Sequence, residues 1–487
     1  MKHYLKFIIV LAICLGTNVF ADTTYIRGQI TKGTSKVTVR TCASSSCKAV
    51  KSDTNSNIAI SYPEMFEVLG EENGFYKISL QFNSYYYTGY ISKGTSSKAY
   101  VETKTFKVTD GDINQMLTLG FPESYAEKLA KLKVSHPNWQ FVPYKVNATW
   151  DEVIAGETKY ISTNLINGSN TSLRNTEDGA YVNGKWTEFA GGGWYSASKQ
   201  TVKYFVDPRN FLNDGHVFMF EVLNFDSSVQ TTELLQSLLN GTFMSGNAFY
   251  YNDKNEKVNI SYAQTFRDAG EKNQISSVHL ISRVIQEQGS NGSSLSSGDN
   301  SEYPGYYNFF NINANGKTTS EVIHNGLAYA KKKGWNSPYN AIIGGASLLN
   351  DYIKYGQNTL YLQKFDFAGD TYYSTQYMQN VRAPYSESYT AYSAYVKNNS
   401  LDIKFTFSVP VFKGTMPDKT SLDIKYNEDS SLSKLSVTSC NLNPSFTSSA
   451  YNYTCYVDKK IDNITVNASP TASTSTVKGT GKFDLNK

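Results

Sequence analysis

Charge is scarce and nearly balanced in this chain of 487 residues: 46 basic against 42 acidic side chains, 18% charged in all, leave a net +4. So mild an excess excludes the strongly basic faces that nucleic acids select. Long apolar runs are also missing. Past the N-terminal stretch Phe7–Gly16, no segment approaches the roughly 20 apolar residues that cross a bilayer. Cysteine is rare, at five residues. No C-x-x-C spacing occurs and no histidine stands beside a cysteine, which argues against zinc. With 40% hydrophobic residues the composition excludes a disordered chain. At roughly 150 residues per domain, about three domains are expected.

The N-terminus carries a basic start, "MKHYLK", a short apolar run and a small residue, Ala21, before Asp22. It reads as a secretory signal over 1–21, and export follows. Cys14 lies within the run, but Ile13 precedes it where a lipoprotein signal needs a small residue. Four cysteines remain, Cys42 with Cys47 and Cys440 with Cys455. Close, even pairs in an exported chain favour local disulfides. Aromatic residues are abundant, 37 Tyr and 26 Phe. Tyrosine offers a flat apolar face and a hydroxyl, which suits sugars; a compositional bias of the genome explains the excess equally well.

Short alternating runs over 25–100, such as "KVTVR", "FYKISL" and "YYYTGYIS", read as strands between Gly, Asn and Ser turns. Through "VTVRTCASSSCKAV", "NGFYKI" and "TGYIS" the segment 22–100 resembles the bacterial Src-homology-three-like domain of cell-wall enzymes. That resemblance implies a small β-barrel that binds wall polymers; a plain spacer is the other role. Residues 101–115 read as a polar connection and 115–400 as mixed helix and loop. Residues 405–427 read as a linker into another β module. Its Leu-x-x-Leu opening at Leu432, its "NPSF" turn and its "YNY" strand resemble a cadherin-like, immunoglobulin-type β-sandwich over 405–487. The family's last strands have no counterpart, so a truncated domain and one completed by a partner strand both stay open.

The segment 272–288 holds the chemistry. Val278, Ile281 and Ile285 share one helical face, widened by Leu280 and Val284, and Gly289 is a natural stop. At about 100° per residue, Glu287 falls on the rim of that apolar stripe. Partial burial and the negative end of the helix both disfavour an ionised carboxylate there. An acid that keeps its proton suits protonation of a glycosidic leaving oxygen. The plain alternative is an exposed glutamate paired with Arg283 one turn back.

Downstream, "YYNFFNINANG", "GWNSPYNAIIGGASLLNDYIKYGQNTLYLQKF" and "QYMQNVRAP" resemble glucosaminidases of glycoside hydrolase family 73, bacterial autolysins with a lysozyme-like fold. The family's motifs fall on Glu287, Asn308 to Ile312, Ile343 to Ala346, Tyr352-Ile353 and Gln357 to Tyr361, over a core of 205–395. One departure is Asn311, where the family has Gly; Asn tolerates left-handed backbone. The resemblance implies that Glu287 is the general acid.

The second group stays open. Asp299 and Glu302, in a loop over the expected cleft, are candidates for base or nucleophile, and solvated loop acids is the plain alternative. The substrate's own acetamide is a third option. Tyr307, Asn308, Tyr352 and Tyr361 are candidate substrate-orienting residues, and Trp335 a candidate stacking platform; each serves equally as core. Asp207 and Arg209 read as a structural pair or cap.

The expectation is a multidomain protein: a lysozyme-like α+β catalytic domain between a small β-barrel and an immunoglobulin-like sandwich. It would be a monomer, secreted and wall-associated, without metal or cofactor. It would cut peptidoglycan glycan strands on the reducing side of N-acetylglucosamine. A muramidase and a non-catalytic wall-binding protein are the alternatives.

Overall fold

The computed structural model describes residues 22–485 apart from 191, 317, 370, 377, 398–399, 423–431, 448–449, 451 and 471–476. The expected leader over 1–21, with Cys14, lies outside the described residues.

The N-terminal alternation folds as expected into strands: β1 (Thr23–Ile30), β2 (Val37–Thr38), β3 (Ala59–Ile60), β4 (Met65–Glu72), β5 (Phe75–Phe82), β6 (Tyr85–Ser92) and β7 (Val101–Val108). Five form an antiparallel sheet in the order β6-β5-β4-β1-β7, while β2 and β3 pair apart. Asn73 and Gly74, both at positive φ, close the β4–β5 hairpin, as a two-residue turn of that twist requires. Ile30, Val39, Ile58, Ile78, Leu80 and Ile91 form its core, each at most 3% exposed. The unit runs past residue 100, because β7 pairs with β1 along its whole length. Only Val101 and Val108 of β7 are buried, so this edge strand reads as a polar connection in sequence.

Helices follow: α1 (Asp110–Thr118) and α2 (Glu123–Ser135), then β8 (Gln140–Thr149) and α3 (Trp150–Glu157). The Gly- and Asn-rich connection after α3 is ordered by short strands β9 (Leu165–Ile166), β10 (Tyr181–Val182), β11 (Lys185–Trp186), β12 (Glu188–Ala190) and β13 (Trp194–Ser196). Next come α4 (Lys199–Val206), α5 (Thr232–Leu239), a hairpin of β14 (Asn247–Tyr251) and β15 (Lys257–Ser261), α6 (Tyr262–Asn273) and α7 (Ser277–Gln288). The short α8 (Ser294–Ser297), α9 (Thr319–Lys333), α10 (Pro338–Lys354), α11 (Leu360–Phe365) and α12 (Ala383–Lys397) complete the helical part.

Residues 405–413 are not a linker into the next module. Strand β16 (Thr406–Lys413) pairs in parallel with β8, Phe407 opposite Phe141 and Val409 opposite Pro143. Phe405 and Phe407 pack with Trp139, Phe218 and Tyr395 in one aromatic cluster. Burial of these rings outweighs any flexibility of a connection, at roughly 25 cal/mol per Å².

The C-terminal module is a three-stranded antiparallel sheet of β17 (Leu432–Val437), β18 (Asn463–Pro470) and β19 (Gly481–Asp484). The expected second layer of a sandwich is not formed among the described residues, and none of those from Leu432 to Leu485 is buried. Cys42 is bonded to Cys47 and Cys440 to Cys455, as their spacing suggests.

The N-terminal unit is docked on the helical part through buried polar contacts. Arg27 of β1 pairs with Asp214 at 3.1 Å, and His136 reaches the same carboxylate at 2.7 Å. Ser84 sits in the left-handed region at the tip of the β5–β6 hairpin, a conformation that costs roughly 1–2 kcal/mol. Two tyrosines hold it: Tyr204 donates to its carbonyl, and its N–H donates to the Tyr385 hydroxyl at 3.0 Å.

Candidate active site

Helix α7 begins at Ser276, whose hydroxyl accepts from the His279 N–H, and ends where Gly289 turns to positive φ. Its apolar face is buried as the spacing requires, with Val278, Leu280, Ile281 and Val284 each at most 3% exposed. Glu287 emerges on the last turn at the edge of that face, its side chain 27% exposed.

Both carboxylate oxygens of Glu287 are held. Asn311 Nδ2 donates to Oε2 at 3.0 Å and to the Glu287 carbonyl at 3.2 Å. Arg283 Nη2 lies 3.6 Å from Oε1, so the ion pair weighed as a plain alternative is present as well. Arg283 is shared: its Nη1 lies 3.3 Å from Glu387 Oε2 on α12. Burial pushes the Glu387 carboxyl up, with Arg283 opposing and the charge of Glu287 adding. Burial likewise lowers His279, one turn before Arg283, to about 3, so its imidazole is neutral at pH 7.

Asn311 is aimed by its surroundings. It stands at φ 52°, in the left-handed region that asparagine tolerates. The Gln288 amide donates to Asn311 Oδ1 at 2.6 Å and to the carbonyls of Asn308 and Phe309 at 3.1 and 3.0 Å. The last turn of α7 and the 306–316 loop are thereby tied together. The glycine pair in α10 lets that loop seat: a Cβ on Gly345 would stand 2.2 Å from the Phe310 ring, and one on Gly344 2.2 Å from Trp335 Nε1.

The other sequence candidates make no described contact with the Glu287 side chain. Trp335, 4% exposed beneath Gly344 and edge-on to Tyr329, is core and offers no stacking face. Tyr361 is fully buried, donating to the Val206 carbonyl at 2.5 Å, and cannot meet a substrate. Asn308, also fully buried, brackets the loop by bonding both N–H and C=O of Ile312 and the Gly326 carbonyl. Tyr307 is 8% exposed, stacked on Phe309 and edge-on to Phe249. In each case ring or amide burial against neighbours outcompetes a place on the surface. Tyr352 is partly exposed on α10. Asp299 is exposed and accepts from Ser297, while Glu302, its side chain 57% exposed, pairs with His324 at 2.8 Å. No described contact joins either acid to Glu287. Asp207 and Arg209 form a buried pair at 2.8 Å, as read.

Glu387 was not read from the sequence. It lies in a tyrosine-rich helix a hundred residues from Glu287, and no local spacing marks it. Among the described residues no group of three or more His, Cys, Asp or Glu is arranged to hold a metal. No helix among them is long and apolar enough to cross a membrane.

No family model matches the chain. It is 31% identical over 188 residues to a β-N-acetylglucosaminidase of Bacillus subtilis, covering 38% of this chain and 19% of that protein. It is 27% identical over 180 residues to a bifunctional autolysin of Staphylococcus epidermidis, covering 36% and 12%. The matches thus span about a fifth or less of those relatives' length. Among solved structures, S. aureus glucosaminidase B aligns with a TM-score of 0.41 and 21% identity, over 56% of this chain and 94% of that one.

Proposed function

We propose that the chain is an exported peptidoglycan hydrolase, an endo-β-N-acetylglucosaminidase that cuts the glycan strand on the reducing side of N-acetylglucosamine, with Glu287 as general acid. One observation carries this reading. Glu287 closes an apolar helix, is partly exposed, and has one oxygen held at 3.0 Å by Asn311 of a neighbouring loop, while Arg283 of its own helix stays 3.6 Å from the other. A carboxyl so oriented can present its proton to a leaving oxygen, a contribution of roughly 10²–10⁴ in rate. The names of the relatives support the substrate class, and the motifs around Asn308–Ile312 and Ile343–Ala346 support the family 73 assignment. The N-terminal unit would contribute contacts to wall polymers, and the protein would act at the wall as a monomer.

The test is a zymogram on purified cell wall, comparing the full chain with Glu287→Gln. Clearing by the wild type alone supports the acid; clearing that survives the substitution removes it. Identification of the new reducing end separates the glucosaminidase from a muramidase. A wild type that binds wall but clears none of it would leave a wall-binding protein.

A further inference from the structure

Arg283 and Glu287 stand four residues apart on α7, a spacing at which they would pair directly in an isolated helix. They do so only loosely, at 3.6 Å, while the same guanidinium lies closer, at 3.3 Å, to Glu387. All three side chains are largely shielded, at 13, 27 and 15% exposure, so solvent screens their interactions only in part. An arginine given wholly to one carboxylate holds it as the ion, which is the wrong form for a proton donor.

We propose that Glu387 is a positioning residue of this site: by holding Arg283 it keeps the guanidinium from closing on Glu287. The proposal rests on Glu287 being the acid of the reaction put forward above. Among the described residues, helix α7 supplies Arg283, Glu287 and the neutral His279 to this site and α12 supplies Glu387, while Asn311 of the 306–316 loop is uncharged.

Glu387 can do this because α12 is anchored independently of α7. Tyr389 donates to Glu64 at 2.6 Å, Tyr392 to the Pro63 carbonyl at 2.9 Å and Tyr395 to Glu221 at 2.9 Å. Two of these partners belong to the N-terminal β unit. Docking of that unit therefore fixes the helix that restrains the arginine, and couples the β unit to the acid without touching it.

The experiment compares wild type, Glu387→Gln, Glu387→Asp and Arg283→Gln as full chains. It reads the pH–rate profile for glycan cleavage and the carboxyl ¹³C titration of Glu287, assigned through Glu287→Gln. In Glu387→Gln both the alkaline limb of the profile and the Glu287 titration should move to lower pH by about 1 unit. Above that limb kcat should fall about tenfold, the ratio one unit gives, with KM little changed. Glu387→Asp should restore most of the loss, and Arg283→Gln should move limb and titration to higher pH. A folded Glu387→Gln with limb and titration unmoved overturns the proposal. Should Glu387→Gln not fold, an unmoved titration in Arg283→Gln overturns it instead. A wild type that cuts no glycan, while the titrations shift as stated, sinks the hydrolase reading and still supports the role of Glu387.

Discussion

Two β units flank the helical part of this chain, and they are built from similar alternating sequence. The N-terminal one closes a core around Ile30, Ile58, Ile78 and Ile91 and is bonded to the helices through Arg27, Glu64, Ser84 and Gln81. The C-terminal one is a single sheet with no buried residue among those described, and with Tyr456 87% and Phe483 41% exposed. Alternation makes strands in both. A stable unit needs a second surface to cover the apolar face, and among the described residues only the first has one. Stability should therefore be concentrated in the N-terminal unit and its docking contacts, and function should depend on it through α12.

The largest effect is expected at that docking contact. Asp214→Ala strands Arg27 and His136 in a buried place and should cost about 3–5 kcal/mol in denaturant unfolding. Arg27 and the bond from His136 outweigh desolvation and hold Asp214 down at about 2. A lowered carboxyl contributes stability above its unfolded value, near 3.8, that is lost as pH falls toward 2. The variant should lack that portion of the wild type's acid loss; equal acid slopes in the two proteins would break the comparison.

Glu221, pushed up to about 8 by burial and bonded by Tyr395, has the opposite sign. Its protonated form is favoured in the folded state, so stability is full below about 4.5 and lost as pH rises through 8. Glu221→Gln should melt close to wild type at pH 5 and several degrees above it at pH 8.5, read by calorimetry. Next in size, Gly345→Ala must displace the Phe310 ring and should cost about 1–3 kcal/mol. It should also lower any glycan cleavage, because Phe310 precedes the Asn311 that holds Glu287. The smallest effect belongs to the C-terminal sheet. A chain ending at Leu422 should keep its main melting transition within about 2 °C of the full chain; a larger drop would mean that the sheet is docked after all.

Much of the local structure was legible. The N-terminal strands, α2, α5 and the end of α7 at Gly289 follow from apolar periodicity and stop signals. Asn311 was marked as the departure from a motif that the segment resembles, and Asp207 with Arg209 were read as a structural pair or cap. Elements whose burial depends on distant partners were misread. Edge strand β7 shows water a charged face and so looked like a linker. Strand β16 looked like one because its partner, β8, lies more than 250 residues earlier. Trp335 and Tyr361 were candidates for sugar binding because an aromatic residue reads alike whether it faces a cleft or fills a core; here both fill it.

Sequence alone determined where Glu287 would stand: a helical period and a glycine stop are properties of adjacent residues, and they place an acid at the edge of an apolar face. Tertiary structure alone decided what meets that acid. Asn311, Arg283 and Glu387 converge because a loop, α7 and α12 are packed together, and α12 is held by tyrosines bonded to a β unit three hundred residues earlier. Electrostatic and hydrogen-bond partners act over a few ångströms in space, whatever their separation along the chain, so no local pattern could announce them.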